Sequence, residues 1–460
     1  MTTPTTLPPV RPTRAVPGIG EKLAFFSGVF GGALMGGVTG FLTLYLTDVV
    51  GVGAAAVGTL LLVARLVDGA GDPVMGYVVD HLPVTRWGRF RLYVLLGAAL
   101  CALCAVAVYA APAWLPGALV GAWIAYLLWG VVFDLMQIPM TSLLPSLSDD
   151  PKTRGQLAGI SGFTGLLAAA IITGLTLPLV DALGGGTRGW ISYATLIAVV
   201  GFVLVAIMAF GVRERVTPVS TERYRPADVR RVFFSGRAVP ILLLAKVCVQ
   251  AASGALTTAL PYFFLYYVGD KSLMSVVALV MAAPMVAGAI AVPALARRIG
   301  TKPAYLAGLG VVIAGLALVY AVPPQSALVL GCFAFAGLGL GGAVALNLLL
   351  LAELVDYTEW QHGFRTEGSL SAMVSFASKA GGGLGGGLVA YMLALTGYRS
   401  GGVTQSGEAL HGILLAQSMV PAAIGIVGVL AFTAYPITRA VAARASEQLA
   451  ERRAAAVEAV

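Results

Sequence analysis

Long apolar segments, separated by short polar loops, make up most of this sequence. Twelve such segments, each about 18 residues or longer, follow one another between Leu23 and Tyr435. A helix of this length can cross a hydrocarbon core about 30 Å thick, and in lipid only helices and closed barrels satisfy every backbone hydrogen bond. We predict spans at 23–47, 53–79, 92–111, 115–145, 157–180, 190–212, 238–268, 272–296, 304–322, 326–355, 369–398 and 411–435. The pattern therefore predicts an all-α membrane protein with twelve transmembrane helices.

The composition excludes most other classes of protein. Of the 460 residues, 58% are hydrophobic and 11% are charged, whereas soluble domains have about 25% charged residues. All four cysteines lie in apolar segments, where they behave as small buried hydrophobic residues and suggest neither disulfides nor a metal site. The sequence shows no serine–histidine, metal-ligand or nucleotide-loop pattern, so we expect neither an enzyme nor a resident cofactor.

Basic residues gather on one side of the predicted helices. The chain has 29 Lys and Arg residues and a formal net charge of +8. Three of them lie in the loops of the opposite side and three lie within spans (Arg188, Lys271, Arg399; Arg65, Lys246, Lys379), which leaves 23 in the tails and the remaining loops. Cytoplasmic loops retain Lys and Arg, so we predict an inner or plasma membrane protein with both termini in the cytoplasm. The basic excess is then a signal of topology and requires no nucleic acid partner.

The longest polar loop divides the chain into two halves of six spans. We predict a disordered cytoplasmic tail (1–22), a first bundle (23–212), a linker (213–237), a second bundle (238–435) and a cytoplasmic tail (436–460). RWGRFRLY at 86–93 matches RIGTKPAY at 298–305 at an offset of 212, and 153–154 corresponds to 364–365 at an offset of 211. Parallel six-helix halves are the architecture of major facilitator transporters, in which the solute site lies between the halves near the midplane.

Span 2 carries three charges where charges are costly. Arg65, Asp68 and Asp72 lie at i, i+3 and i+7, near one face of the helix. An ionisable side chain at the bilayer centre costs roughly 2.5–3.5 kcal/mol, and two carboxylates one turn apart repel unless a cation, a proton or a basic partner intervenes. This pattern favours a site for a coupling ion. The alternative is that Arg65 permanently neutralises one aspartate and holds helices together.

Two further spans carry charges that belong to the same argument. Asp134 in span 4 would add an oxygen ligand or a proton acceptor, unless it is bonded to backbone or to Arg65. Lys379 in span 11 has no clear midspan carboxylate in its own half, so we expect it to neutralise the aspartates across the interface when the cation is absent; the alternative is a snorkelling lysine. We expect Lys246, which lies nearer the cytoplasmic end of span 7, to extend its ammonium to the membrane surface. Gln250, one turn later, is a candidate solute contact. The glycines at 381–383 and 385–387 lack the order of a phosphate-binding loop and favour close helix packing.

These residues form a motif that resembles a known family. The sequence D-x3-D-P-x2-G-x3-D-x5-R-W-G-R-x-R over 68–91 is similar to the signature of the glycoside–pentoside–hexuronide:cation symporters, the family of the melibiose permease. TDVVG at 47–51 and the stretch around 356–368 are similar as well. The resemblance implies that Asp68 and Asp72 hold the coupling cation (Na⁺, Li⁺ or H⁺) and that Lys379 is the functional lysine of span 11. Asp134 stands where the family has a threonine ligand, which makes the site more negative.

The positions that bind sugar in melibiose-type members have changed. They correspond here to Gly32, Gln137, Thr141 and Gly162, so most hydroxyl acceptors and the aromatic platform are gone. We expect Gln137, Thr141, Gln250 and Ser375 to line the solute cavity. The family default is import of a glycoside or pentoside with Na⁺ or H⁺ by alternating access. The alternatives are an exporter or flippase of a less polar, amphiphilic solute, and a transporter-like sensor without flux.

Charged residues at the cytoplasmic ends of the spans suggest a gate. We expect two clusters to hold the outward-facing state together, and they comprise Asp80 with Arg86, Arg89 and Arg91, and Asp356 with Arg365 and Glu367. The remaining expected partners are the bilayer, a small solute and the coupling cation. We expect the protein to be a monomer.

Overall fold

The computed structural model describes residues 17–80, 83, 88, 90–115, 117–148, 150–215, 236–324, 327–362, 367–401 and 404–458. Within these ranges the chain forms fourteen α-helices of eleven residues or more, and a three-residue α-helical segment, Leu42–Leu44, lies in the continuation of the first. They are α1 (Ile19–Gly37), α2 (Ala54–Asp80), α3 (Arg91–Trp114), α4 (Ala118–Leu147), α5 (Pro151–Ala182), α6 (Gly186–Gly211), α7 (Ala238–Tyr262), α8 (Ser272–Ile299), α9 (Thr301–Ala321), α10 (Ala327–His362), α11 (Glu367–Leu395), α12 (Gly407–Gln417), α13 (Met419–Thr433) and α14 (Arg439–Glu458). Two of these helices are extended by tighter or wider turns: α1 continues to Val49, and α7 continues as a π-helix over Phe263–Val268.

The all-α prediction is confirmed. Eleven helical segments of the described ranges are long and apolar enough to cross a membrane, including Ile19–Val49 and Gly407–Thr433. The helix at the eleventh predicted span (369–398), α11, is 29 residues long but is not among these segments, since its glycines, its serines and Lys379 lower its hydropathy. Eleven of the twelve predicted transmembrane helices are therefore matched by these segments. That α11 also crosses the membrane stays a prediction.

Helix boundaries follow local capping rules more than hydropathy. The Asp150 carboxylate accepts a hydrogen bond from the backbone N–H of Thr153 at 2.9 Å, and Pro151 occupies the first helical position of α5. Ser406 caps α12 in the same way, by accepting from the N–H of Ala409. Polar caps of this kind extend the helices beyond their apolar segments, so α5 begins six residues before the predicted span.

The helices pack in two groups, which we call the first group (α1–α6) and the second group (α7–α13). In the first group α1 packs against α5 and α6, α3 packs against α4 and α6, and α2 packs against α4. In the second group α7 packs against α11 and α13, and α10 packs against α8 and α9. The two groups meet mainly where α2 lies against α11 and α5 lies against α8. The α2–α11 contact brings the charged spans together.

The predicted C-terminal tail contains a helix that packs against the bundle. α14 lies against α10, with Ala445 and Leu449 buried, and Trp360 donates a hydrogen bond to the side chain of Gln448. The predicted linker 213–237 is described only at its two ends, and residues 1–16 of the predicted N-terminal tail lie outside the described ranges. α1 begins at Ile19, four residues before the predicted start of span 1.

Close packing of α7 against α11 predicts that one glycine of α11 cannot carry a side chain. A Cβ at Gly385 would overlap the carbonyl oxygen of Ala251 in α7. Because the obstacle is backbone, Gly385→Ala should destabilise the fold by roughly 1–3 kcal/mol or more and lower both the yield and the melting temperature of purified protein. Gly382→Ala is the matched control, since a Cβ there meets no atom within 4 Å. Equal melting temperatures for the two variants would contradict this packing.

Candidate functional site

The ammonium of Lys379 lies among three carboxylates from the first group of helices. Its Nζ is 2.6 Å from Oδ1 of Asp72, 2.9 Å from Oδ2 of Asp134 and 3.2 Å from Oδ1 of Asp68. The lysine belongs to α11, two of the aspartates belong to α2 and the third belongs to α4. This geometry brings together the four charged residues that the sequence placed in three separate spans. Lys379 therefore ion-pairs across the interface.

Two more side chains complete this charge cluster. Arg65 lies 3.5 Å from Oδ2 of Asp68, and Ser375 donates a hydrogen bond to Oδ2 of Asp72 at 2.7 Å. With every group ionised, three carboxylates face two cations and leave one negative charge. The aspartate side chains are about nine-tenths buried, so each depends on these partners, because an uncompensated buried charge costs several kcal/mol. Arg65 pairs with Asp68, as the structural alternative expects, whereas Asp72 and Asp134 pair with Lys379.

Glycines allow the helices that carry these charges to come close enough. A Cβ at Gly69 of α2 would lie 3.0 Å from the ring of Phe376 and 3.5 Å from the Cβ of Lys379. A Cβ at Gly383 of α11 would lie 2.6 Å from the Cβ of Arg65. Each glycine thus makes room for the charged residue of the opposite helix. The sequence suggested close packing at both positions but not these particular neighbours.

A polar cavity of about 370 Å³ lies beside the charge cluster and between the two groups of helices. Arg65 and Lys379 form part of its wall, and Gln250 of α7 lines it as predicted. Six further residues with hydroxyl groups, which the sequence did not reveal, also line it, and they are Thr39, Thr43, Tyr126, Thr257, Thr258 and Ser378. Only Thr39 adjoins a glycine in the sequence, and no common spacing marks the six. The wall offers many hydrogen-bonding groups, as a polyhydroxylated solute requires.

Three residues predicted to line the cavity have other positions among the described residues. Ser375 bonds to Asp72, as described above, and is not part of the wall. Thr141 is exposed, and its hydroxyl donates to the carbonyl of Ile138 in its own helix. Gln137 is half-buried and is likewise not part of the wall. A role for these three in solute binding stays a prediction.

The predicted cytoplasmic gate is described only in part. Arg86, Arg89 and Arg365 and the side chains of Asp80 and Glu367 lie outside the described residues. Arg91 donates from Nε to the carbonyl of Ala209 and from Nη2 to that of Phe210, at the end of α6. Asp356 is half-buried near the end of α10. The gate itself stays a prediction.

At the end of the bundle away from the termini, a half-buried carboxylate joins the two groups. Asp48, next to Thr47 at the end of the α1 extension, accepts hydrogen bonds from the hydroxyls of Tyr266 and Tyr398. Thr47 also bonds to the hydroxyl of Tyr262 at 2.9 Å. Nearby, Lys271 pairs with Asp181. We call Thr47, Asp48, Tyr262, Tyr266 and Tyr398 the tyrosine gate, because their hydrogen bonds join the two groups at this end.

An apolar cavity adjoins the polar one. Its volume is about 250 Å³, and Leu166, Leu256, Met281 and Leu340 are part of its lining. Thr257 lines both cavities, so the two meet at this residue.

Comparison with known proteins agrees with this architecture. The model of the family described as MFS/sugar transport protein matches residues 25–439. The isoprimeverose transporter of Lactiplantibacillus pentosus is 32% identical over 84% of this chain and 81% of its own length. The glucuronide carrier protein homolog of Escherichia coli K12 is 30% identical over 86% of this chain and 88% of its own. A crystal structure of a mutant of the nucleoside transporter NupG has the same fold, with a TM-score of 0.66 at 12% identity over 91% of this chain and 100% of that one.

The fold and the family match define a multi-pass membrane transporter with the major facilitator fold. Within that class, the chain belongs to the MFS/sugar transport family, and its relatives include the glycoside–pentoside–hexuronide symporters that its motifs resemble. It is a transport protein and not an enzyme, and its environment is the lipid bilayer.

Proposed function

We propose that this protein is a Na⁺- or H⁺-coupled symporter that imports a glycoside-class solute by alternating access. The observation that carries the proposal is the ion pairing of Lys379 with Asp68, Asp72 and Asp134. These are the charges that a coupling cation would need, and they lie beside a cavity large enough for a sugar.

The cluster supports coupling because its partners belong to different groups of helices. A cation or proton that enters would compete with the Lys379 ammonium for the same carboxylate oxygens. Its binding weakens the ion pairs that join α11 to α2 and α4, so the cost of moving the two groups relative to each other changes. A ligand shifts such an equilibrium only through its different affinity for the two conformations, and this cluster provides that difference.

The same cluster explains return of the empty carrier. Without a cation, the ammonium already neutralises much of the carboxylate charge, so the empty protein can reorient without exposing bare carboxylates to a low dielectric. With a cation bound, Lys379 is free to donate to a solute hydroxyl in the adjoining cavity. Each charge moved inward through 100 mV supplies about 2.3 kcal/mol, enough for tens-fold accumulation of the solute.

The proposed orientation makes the present conformation one that is closed to the external side. If the basic loops and both termini lie in the cytoplasm, the tyrosine gate lies on the external side, and its hydrogen bonds close that side. A solute in the cavity is then separated from the outside by Thr47, Asp48 and their tyrosine partners. We propose that these hydrogen bonds break in the outward-facing conformation, which gives the cation and the solute access to the site from outside.

A glycoside is the proposed class of solute because the wall combines threonine hydroxyls, Gln250 and two cations. Isoprimeverose and a glucuronide, the solutes in the names of the two relatives, are the first compounds to test. The two cations in the wall, Arg65 and Lys379, would suit a carboxylate such as that of a glucuronide.

Transport in proteoliposomes tests the proposal directly. Purified protein is reconstituted, and uptake of radiolabelled isoprimeverose and a glucuronide is followed under an inward Na⁺ gradient, an inward H⁺ gradient, or no gradient. We expect one gradient to drive accumulation above the external concentration. Uptake that only equilibrates the solute, whichever gradient is imposed, would disprove coupling.

Export or flipping of an amphiphilic solute is the second candidate function. It is favoured by the apolar cavity that meets the polar one at Thr257, since together they would hold a solute with one polar and one apolar end. Reversing the gradient across the same proteoliposomes distinguishes the two functions. A symporter accumulates solute inside the vesicles only under an inward cation gradient, whereas an exporter that exchanges solute for cation accumulates it only under an outward gradient.

A further inference from the structure

A second polar cavity lies at the end of the bundle that carries the C-terminal helix. Its volume is about 240 Å³, and it lies where α9 and α14 begin and α8 ends. We call it the basic pocket, because Arg297, Lys302 and Arg439 line it. The carboxylate in its wall, Glu353, accepts a hydrogen bond from Thr301. Three cations against one carboxylate leave a local excess of positive charge.

The three cations differ in the hydrogen bonds that they already make to other residues of the protein. Lys302 donates to the carbonyls of Thr433 and Tyr435, and Arg439 donates to the carbonyl of Arg298, all at 2.7 Å. These bonds hold both side chains in place without cancelling their charge. Arg297 is exposed and makes no hydrogen bond or ion pair with another described residue.

The start of α9 adds backbone donors to the pocket. Gly300, at the N-cap of α9, has no side chain to cap the helix, and α9 begins with Thr301 and Lys302. Both residues line the pocket. The first N–H groups of a helix have no partner within the helix and favour an anion.

The internal repeat shows what occupies the matching position in the first half. Gly88 matches Gly300 at the offset of 212, and both have a positive φ, 110° and 95°. There the carboxylate of Glu214 accepts hydrogen bonds from the N–H groups of Phe90 (2.9 Å) and Arg91 (3.1 Å), at the start of α3. A Cβ at Gly88 would lie 2.6 Å from that carboxylate. In the first half, then, the chain provides its own anion.

In the second half, the side chain of Arg439 lies near the corresponding glycine, Gly300. Glu214 follows the end of α6 by three residues, and Pro436 follows the end of α13 by three residues. The atom nearest to a Cβ at Gly300 is the Cβ of Arg439, at 3.1 Å. The repeat has therefore kept the glycine turn and, as the N–H of Lys302, the donor that Phe90 provides. Pro303, which has no N–H, stands where Arg91 provides the second donor, and Pro436 and a nearby arginine replace the carboxylate.

We propose that the basic pocket binds a phosphate-bearing anion beside the first turn of α9, as the Glu214 carboxylate lies beside the start of α3 in the first half. Phosphate matches both donor types, because guanidinium groups and helix N-termini bind phosphate oxygens. The anion is either the headgroup of an anionic phospholipid, such as phosphatidylglycerol, or free phosphate. With the termini in the cytoplasm, the pocket lies at the leaflet surface where basic pockets hold anionic headgroups.

The test measures binding by the full-length protein after delipidation in detergent. Native mass spectrometry counts bound phosphatidylglycerol against phosphatidylcholine, and melting temperatures are recorded with each lipid and with inorganic phosphate. We expect selective retention of phosphatidylglycerol, or stabilisation by inorganic phosphate if free phosphate is the ligand. Arg297→Gln should weaken binding about fivefold, the effect of one basic residue at an anionic surface, and addition of Arg439→Gln should weaken it further by a similar factor.

Two controls keep the outcome clear. Arg444→Gln removes the same charge from an exposed position of α14 outside the pocket and should leave binding unchanged. Pro436→Glu should supply the missing carboxylate, raise the melting temperature without lipid and reduce phosphatidylglycerol retention. Equal retention of both lipids with no effect of phosphate would overturn the proposal, as would equal losses for Arg297→Gln and Arg444→Gln. Because none of these readouts requires a solute, they stand apart from the test of transport.

Discussion

Lys379→Gln should abolish gradient-driven uptake, to about 1% of the wild-type rate or less. The substitution removes the ammonium that pairs with Asp68, Asp72 and Asp134, so three carboxylates are left with Arg65 alone. Breaking a buried ion pair by removing one partner costs roughly 3–5 kcal/mol, which corresponds to more than a hundredfold in an equilibrium. The cluster would then stay occupied by protons or cations, and the empty carrier could not return.

Lys246→Gln is the matched control for this prediction. Lys246 also lies within a predicted span, but it contacts none of the three aspartates. Uptake by this variant should stay within about twofold of the wild type. Solute counterflow, which does not require return of the empty carrier, should survive in Lys379→Gln better than net uptake. Active uptake by Lys379→Gln at the wild-type rate would rule out the proposed role of the lysine.

A compensating substitution separates coupling from folding. Lys379→Gln combined with Asp134→Asn removes one positive and one negative charge, so the net charge of the cluster returns to its original value. We expect the melting temperature of the purified protein to recover toward that of the wild type while uptake stays lost. Recovery of uptake along with stability would mean that the lysine acts only as a structural counter-charge.

The sequence was sufficient to predict the charge cluster because its members are rare and costly. Asp68 and Asp72 share a helix face by spacing alone, and Asp134 and Lys379 needed only an assumption about which helices are neighbours. Ionisable residues within spans have few stable partners other than one another. Because charged residues within spans have so few possible partners, their contacts could be predicted even though a single sequence does not show which distant residues are neighbours.

The cavity wall could not be predicted in the same way. Thr39, Thr43, Thr257 and Thr258 are common residues of apolar helices, where a threonine can bond to its own backbone, and nothing in their spacing indicates which face meets the other group. The predicted Gln137 and Thr141 came from correspondence with a family whose sugar-binding side chains this chain has replaced. A correspondence of positions does not preserve the cavity once the side chains that shaped it have changed.

The tyrosine gate was missed for a different reason. Asp48 was noted only as part of a family motif, and its partners Tyr266 and Tyr398 lie more than 200 residues away. Tyrosine near the end of a span is ordinary in membrane proteins, where aromatic residues gather at the interfaces. Only the packing of the α1 extension against the π-helical end of α7 shows that these hydroxyls meet one carboxylate.

Asp48→Asn should open the tyrosine gate and shift the protein toward the opposite conformation. The carboxylate accepts from Tyr266 and Tyr398, both in the second group. A hydrogen bond to a charged group contributes roughly 1.5–3 kcal/mol, and the amide weakens both bonds at once. A loss of about 3 kcal/mol changes the ratio of the two conformations by about a hundredfold.

A cysteine in the cavity reports which side is open. Gly40 lies in the wall of the polar cavity, and a Cβ there meets no atom within 4 Å, so Gly40→Cys introduces a thiol without displacing a neighbour. The native cysteines are buried and are replaced by alanine. A membrane-impermeant thiol reagent added outside intact cells should label Cys at this position slowly in the parent and at least tenfold faster with Asp48→Asn.

Conservative tyrosine variants test whether the hydrogen bonds themselves hold the gate. Tyr398→Phe removes one donor to Asp48 and keeps the ring, so external labelling should accelerate, though less than with Asp48→Asn. Tyr267→Phe is the control, because Tyr267 neighbours Tyr266 and stacks on Phe263 but makes no hydrogen bond to Asp48. If labelling by Tyr398→Phe matched that of Tyr267→Phe, ring packing rather than hydrogen bonding would hold this end closed. An unchanged rate in Asp48→Asn would mean that contacts such as Lys271–Asp181 keep the two groups together without the Asp48 carboxylate.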